Sequence, residues 1–142
     1  MKQPIQPGIG MPAALLLHEF GSQLWHAFDD MPYHVGSSLV GKVWRDVDVR
    51  LILADDAFAA MFPDATLNNI HSCGKWVALC LAFSALGKQM TGLPIDFQIQ
   101  QQTDANAKHD GPRSALGNVQ LRYRQPVKIE TPPAVSRGEA EA

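Results

Sequence analysis

A chain of 142 residues with 46% hydrophobic and 18% charged side chains is sized for one globular domain with a real core, and is short for a second, substrate-binding domain. Its net charge of -2, from 12 basic and 14 acidic residues, excludes a general nucleic-acid binder, which needs a basic stripe to displace counterions. Cys73 and Cys80 fall in a helical pattern about 10 Å apart by helical rise, too far for a disulfide. No charged-then-apolar leader is read and the longest apolar run is Trp76 to Phe83, so a cytoplasmic protein off the membrane is expected.

In chain order, residues 1–11, with Pro4, Pro7, Gly8 and Gly10, read as an irregular arm. Pro12 suits a helix start, and Ala13, Leu16, Leu17, Phe20, Leu24 and Phe28 then recur at helical spacing. Asp29, Asp30 and Pro32 end that helix, and Tyr33 to Val35 form a short strand leading into Gly36. Ser38 to Val43 has room for one or two helical turns. Asp46 to Leu53 is the second strand: Val47, Val49, Leu51 and Leu53 point to one side, while Asp46, Asp48, Arg50 and Ile52 point to the other.

Asp55 to Ala65 reads as a connector with a helical piece over Ala57 to Met61, stopped at Pro63. A long helix from about Asn69 to Lys88, capped by Thr66 or Asn68, is apolar on several sides. That predicts burial between the sheet and another body, a partner subunit or a second copy. Leu93 to Gln100 alternates most regularly, with Ile95, Phe97 and Ile99 on one side and Asp96, Gln98 and Gln100 on the other. If this strand neighbours the second, Asp96 comes up beside Asp46 and Asp48. From Gln101 to about 117 the chain reads as a mobile loop, Asn118 to Arg124 as an edge strand, and 127–142 as a disordered tail. The expected fold is α+β, a small mixed sheet with helices packed on one face, in a single domain over 12–126.

Two aspartates at i and i+2 of a strand repel unless a cation or a donor holds them, and magnesium favours one or two carboxylates plus substrate phosphates. Gly36-Ser37-Ser38 offers a phosphate cradle beside them, since glycine admits an anion and the serines donate. A Gly-Ser pair is most often only a turn, and Asp-x-Asp often an exposed edge; a third acid raises the odds. The five histidines show no metal-ligand spacing, and His34, just before the turn, is read as structural. Lys42, Lys75, Arg122 and Arg124 are weaker phosphate candidates, and Trp44 either stacks on a base or covers the sheet edge.

The ordered set of helix, strand, Gly36-Ser37 turn, Asp46-Val47-Asp48 strand, helix and Asp96 strand, over about 12–101, resembles the DNA polymerase β-like nucleotidyltransferase superfamily, most of all its single-domain members. The resemblance implies that Gly36, Ser37 and Ser38, aided by Lys42 and Arg45, hold the triphosphate of an NTP. It implies that Asp46, Asp48 and Asp96 bind magnesium, two ions in the active complex, with Asp96 completing the second site and helping to deprotonate the attacking hydroxyl. The implied reaction moves a nucleoside monophosphate from an NTP to a hydroxyl acceptor. Two departures stand out: the interval from Gly36-Ser37 to Asp46 is short for the family, and Arg45 occupies a position often held by a small hydroxyl residue. The alternative is a catalytically weak module of the same shape that binds nucleotide or a protein partner.

Overall fold

A computed structural model of the chain describes residues 3–117. The strand expected over Asn118 to Arg124 and the tail from residue 127 lie outside the described residues. Helix α1 (Ala13–Phe28) buries Leu17, Phe20 and Leu24 and ends at Asp29, whose N–H donates to Trp25 O at 2.7 Å. Strand β1 (Pro32–Val35), the single turn α2 (Ser37–Val40) and strand β2 (Val47–Leu53) follow. Helix α3 (Asp55–Met61), a 3-10 segment (Leu67–Ser72), helix α4 (Gly74–Thr91), strand β3 (Ile95–Gln101), helix α5 (Gln102–Lys108) and strand β4 (Ser114–Ala115) complete the described part.

The sheet is mixed, in the order β3-β2-β1-β4. β1 runs antiparallel to both β2 and β4, and β2 runs parallel to β3 with Val47 beside Ile95, Asp48 beside Asp96 and Arg50 beside Gln98. A parallel pair needs a long crossover, and α3, the 3-10 segment and α4 provide it. The alternation expected for β2 and β3 is present. Val47, Val49, Leu51, Leu53, Ile95, Phe97 and Ile99 are buried against α1 and α4, whereas Asp48, Arg50, Asp96 and Gln98 are only half-buried. Phe97 anchors the apolar layer, with the rings of Phe28 and Phe83 centred 6.3 and 5.6 Å away. The fold is therefore α+β with an apolar layer under the sheet and a wet face above it.

Helix α4 does more than pack. Among the described residues β3 is an edge strand, whose outward backbone groups would otherwise invite pairing by another chain. Trp76 Nε1 donates to Ile99 O at 2.8 Å, and Phe97 N–H donates to Ser84 Oγ at 2.8 Å. Cys80 lies between them on the same helix face, with the Ile99 N–H directed at its sulfur; burial pushes its thiol up to about 11. Both cysteines are free, and no described helix is long and apolar enough to cross a membrane.

Two expectations are corrected. The long helix starts at Gly74, not Asn69. The Asn-Asn-Ile-His-Ser run before it forms a 3-10 segment with Asn69 out of helical geometry, and Ser72 Oγ donates to Asn69 O at 2.8 Å, an example of polar side chains competing with the helix. The stretch after Gln101 is not a loop throughout: it holds α5 and β4. Asp55, 48 residues earlier, accepts the Thr103 N–H at 3.0 Å and its hydroxyl, and Gln101 Oε1 accepts the Asp104 N–H at 3.2 Å. The N-terminal arm is irregular, as expected, and it is tied down. Gln6 N–H and Gly8 N–H donate to Leu39 O and Ser38 O at 2.9 and 2.8 Å, and Trp44 Nε1 donates to Gly8 O at 3.1 Å. A side chain at position 8 would run into Gly41 O, so the arm lies directly on the loop after α2.

Candidate active site

The first turn of the site is set by Gly36, which ends β1 with φ 82, a conformation that strains any residue with a Cβ. It is required twice over. The Asp48 Oδ2 atom lies against Gly36, where a Cβ would stand. This contact follows from the antiparallel register, which sets Val35, the residue before the turn, opposite Asp48. The parallel register then sets Asp96 on the other side of Asp48, one strand spacing away, about 4.8 Å. The glycine turn and two acids from separate strands thus meet at Asp48.

Between the two acids sits Arg50, with a side chain only 13% exposed. Its Nη2 lies 3.7 Å from Asp48 Oδ1 and 3.4 Å from Asp96 Oδ2, and its Nη1 donates to Asp96 O at 2.6 Å and to Val49 O at 3.2 Å. Burial raises the Asp48 carboxyl above its ordinary value; Arg50 opposes the rise, and the charges of Asp96 and Asp46 and a hydrogen bond with Asp96 add to it. Asp46, just ahead of β2, is half-exposed and has Arg45 Nε 4.0 Å from its Oδ2. Among the described residues no three His, Cys, Asp or Glu side chains converge on one point. A set of carboxylate oxygens is the donor type that a hard divalent cation prefers.

Gly36, Ser37 and Lys42 line one open crevice of about 530 Å³, with Gly41, Gly111 and Pro112 among its other walls. Ser38 is a correction. It is fully buried and its Oγ lies 2.7 Å from His34 Nε2, so its hydroxyl serves the core side of the turn and not the crevice. His34, 3% exposed, is held down to about 4 by burial and by the charge of His18, and is structural as expected. Arg45 points into solvent, 94% exposed, outside that crevice. Lys75 donates to Met61 O at 2.7 Å at the end of α3, and Trp44 holds the arm in place of a base.

Two groups of residues gain a place here that the sequence reading did not assign. Arg50 was legible as a member of the polar face, but its position between two acids depends on a register that only the folded sheet supplies. Lys108, His109 and Arg113 line a further crevice of about 280 Å³ that shares Gly36, Gly111 and Pro112 with the first. Their only signal in the sequence was a cluster of basic residues around Gly111-Pro112. No protein-family model, curated protein or solved structure matches the chain.

Proposed function

We propose that the chain is a magnesium-dependent nucleotidyltransferase of the DNA polymerase β-like type, acting in the cytoplasm on an NTP and a hydroxyl acceptor. The observation that carries this reading is the position of Asp48, whose carboxylate touches the Gly36 turn on one side and neighbours Asp96 on the other. Nucleotidyl transfer asks a protein mainly to position the reactants and neutralise charge. Gly36 and Ser37 would receive the phosphates, and Lys42, on the same crevice, would offset their charge. Asp46, Asp48 and Asp96 are the carboxylates available to magnesium, which supplies charge stabilisation at the phosphoryl oxygens and acidifies a bound hydroxyl. Asp96 would take the acceptor's proton.

A second reading, a weak or inactive module that binds nucleotide or a protein, is favoured by one feature: Arg50 already compensates Asp48 and Asp96. Isothermal titration with NTPs, with and without magnesium, separates the two. Magnesium-dependent binding abolished by Asp48→Ala supports the enzyme. Binding indifferent to both metal and substitution supports the module.

A further inference from the structure

We propose that the loop between α5 and β4 grips the outer phosphates of the NTP, with Arg113 and Lys108 as the residues that tell a triphosphate from a monophosphate. This rests on the nucleotidyltransferase reading and extends it to residues 108–113, which have no part in it so far. The two sides of the Gly36 turn differ. On the β2 side Asp48 Oδ2 packs against the glycine, and none of Asp46, Asp48 and Asp96 lines either crevice beside the turn. On the β4 side the turn is open, and the walls there are basic.

Register carries Arg113 to that side. β4 runs antiparallel to β1 with His34 opposite Ser114, and Leu116 N–H donates to Pro32 O at 2.9 Å. One residue further along the same register, Arg113 comes opposite Val35 and Pro112 opposite Gly36. Opposed residues of an antiparallel pair share a face, and Val35 is also opposite Asp48, so Arg113 stands on the wet face, across β1 from the acids. Val35, Gly36 and Arg113 accordingly line one crevice, and Gly36, Gly111 and Pro112 continue it into the one that Ser37 and Lys42 line.

Lys42, Lys108 and Arg113 against the single acid Asp110 leave this groove two positive charges, in a chain whose net charge is -2. Lys108 Nζ lies 3.1 Å from Asp104 Oδ1, so its charge is partly offset. Among the described residues no carboxylate pairs with Arg113, whose Nη2 donates to the main-chain His109 O at 3.3 Å and closes the 109–113 loop on itself. A guanidinium fork held in this way suits phosphate oxygens. A Cβ on Gly41 or Gly111 would meet nothing within 4 Å, so both main chains border open space where an anion can come close. The phosphate chain therefore runs from Ser37 across Gly36 toward Arg113.

The test is isothermal titration of the full chain, in magnesium, with the four common NTPs and with the monophosphate of whichever binds tightest. The unmodified chain is expected to prefer the triphosphate. Arg113→Gln lowers that preference at least about tenfold, the scale of a lost hydrogen bond to a charged group. Lys108→Gln lowers it less, because Asp104 already shares its charge. Lys88→Gln, which removes an equal charge from the exposed last turn of α4, leaves it unchanged. Gly111→Asp decides the matter if Arg113→Gln does not fold. A Cβ there meets nothing, so this variant sets an acid in the groove and lowers the preference at least about tenfold, while Gly111→Asn keeps it. A triphosphate bound no better than its monophosphate, or a preference that survives both Arg113→Gln and Gly111→Asp, overturns the inference. The nucleotidyltransferase reading then stands as long as NTP binding needs magnesium and Asp48. No NTP binding by the unmodified chain overturns both.

Discussion

Two polar clusters flank the Gly36 turn, one beneath the sheet and one above it, and they are built on opposite principles. Beneath, His34 and Ser38 are buried in the apolar layer, share one hydrogen bond at 2.7 Å, and stay neutral because burial drives the imidazole pKa down to about 4. Above, Asp48, Asp96 and Arg50 meet on a half-wet face, where burial raises the Asp48 carboxyl, Asp96 and Asp46 add to the rise and Arg50 opposes it. A neutral buried pair of that kind contributes to stability, while crowded like charges oppose it. The lower cluster holds the turn in shape; the upper one sets two acids side by side with a guanidinium between them.

The largest expected effect breaks this comparison from above. Asp48→Asn should weaken magnesium-dependent NTP binding by at least about a hundredfold, in line with losing a principal electrostatic group from a site. The same variant should be as stable to urea as the unmodified chain, or more so, since a carboxyl raised on folding is one whose ionised form the fold disfavours. Equal losses of binding and stability would show the acid to be a structural residue. His34→Ala is the mirror experiment: truncation leaves a void and strands the buried Ser38 hydroxyl, for a loss of about 2–4 kcal/mol in urea unfolding. Magnesium binding should survive in that variant at temperatures where it stays folded.

The pH dependence separates the clusters again. The unfolded histidine titrates near 6.5 and the folded His34 near 4, so between these values the unfolded chain binds more protons. His34 therefore allows full stability above about 6.5 and removes it as pH falls through 4. His34→Gln should flatten the urea-midpoint profile across this window; an unchanged slope would assign it to other groups. Gly36→Ala touches both clusters through the turn and should lose about 1–3 kcal/mol, the usual range for a residue forced to positive φ. It should also weaken magnesium binding by pushing on Asp48. Smallest is Arg45→Ala, on an exposed pair, with a stability change within about 0.5 kcal/mol.

The two clusters also differ in how far the sequence foretold them. Period-two alternation placed Asp48 and Asp96 on one face and Val47, Val49, Ile95 and Ile99 on the other, because side chains in strands alternate strictly. The same pattern could not say that Arg50 on one strand would reach Asp96 on the next, which is a matter of register. Ser38 was misassigned to the crevice because a serine after a glycine offers equal local reasons to face either way. His34, across the single turn of α2, decided it. Helix α5 was missed for a related reason: beside the local cap from Gln101, its first turn is held by Asp55, far away in sequence, and a window of local residues carries no trace of that bond.

The most direct test of the central claim, that the Gly36 turn and the strand acids form one nucleotide site, is a crystal structure with Mn2+ and a non-hydrolysable NTP analogue, using anomalous scattering to find the metal. The account predicts an ion about 2.1 Å from an Asp48 carboxylate oxygen, with the phosphates along Gly36 and Ser37 in the crevice that Lys42 lines. A nucleotide bound elsewhere, or phosphates in that crevice with no ion at Asp48, would contradict it.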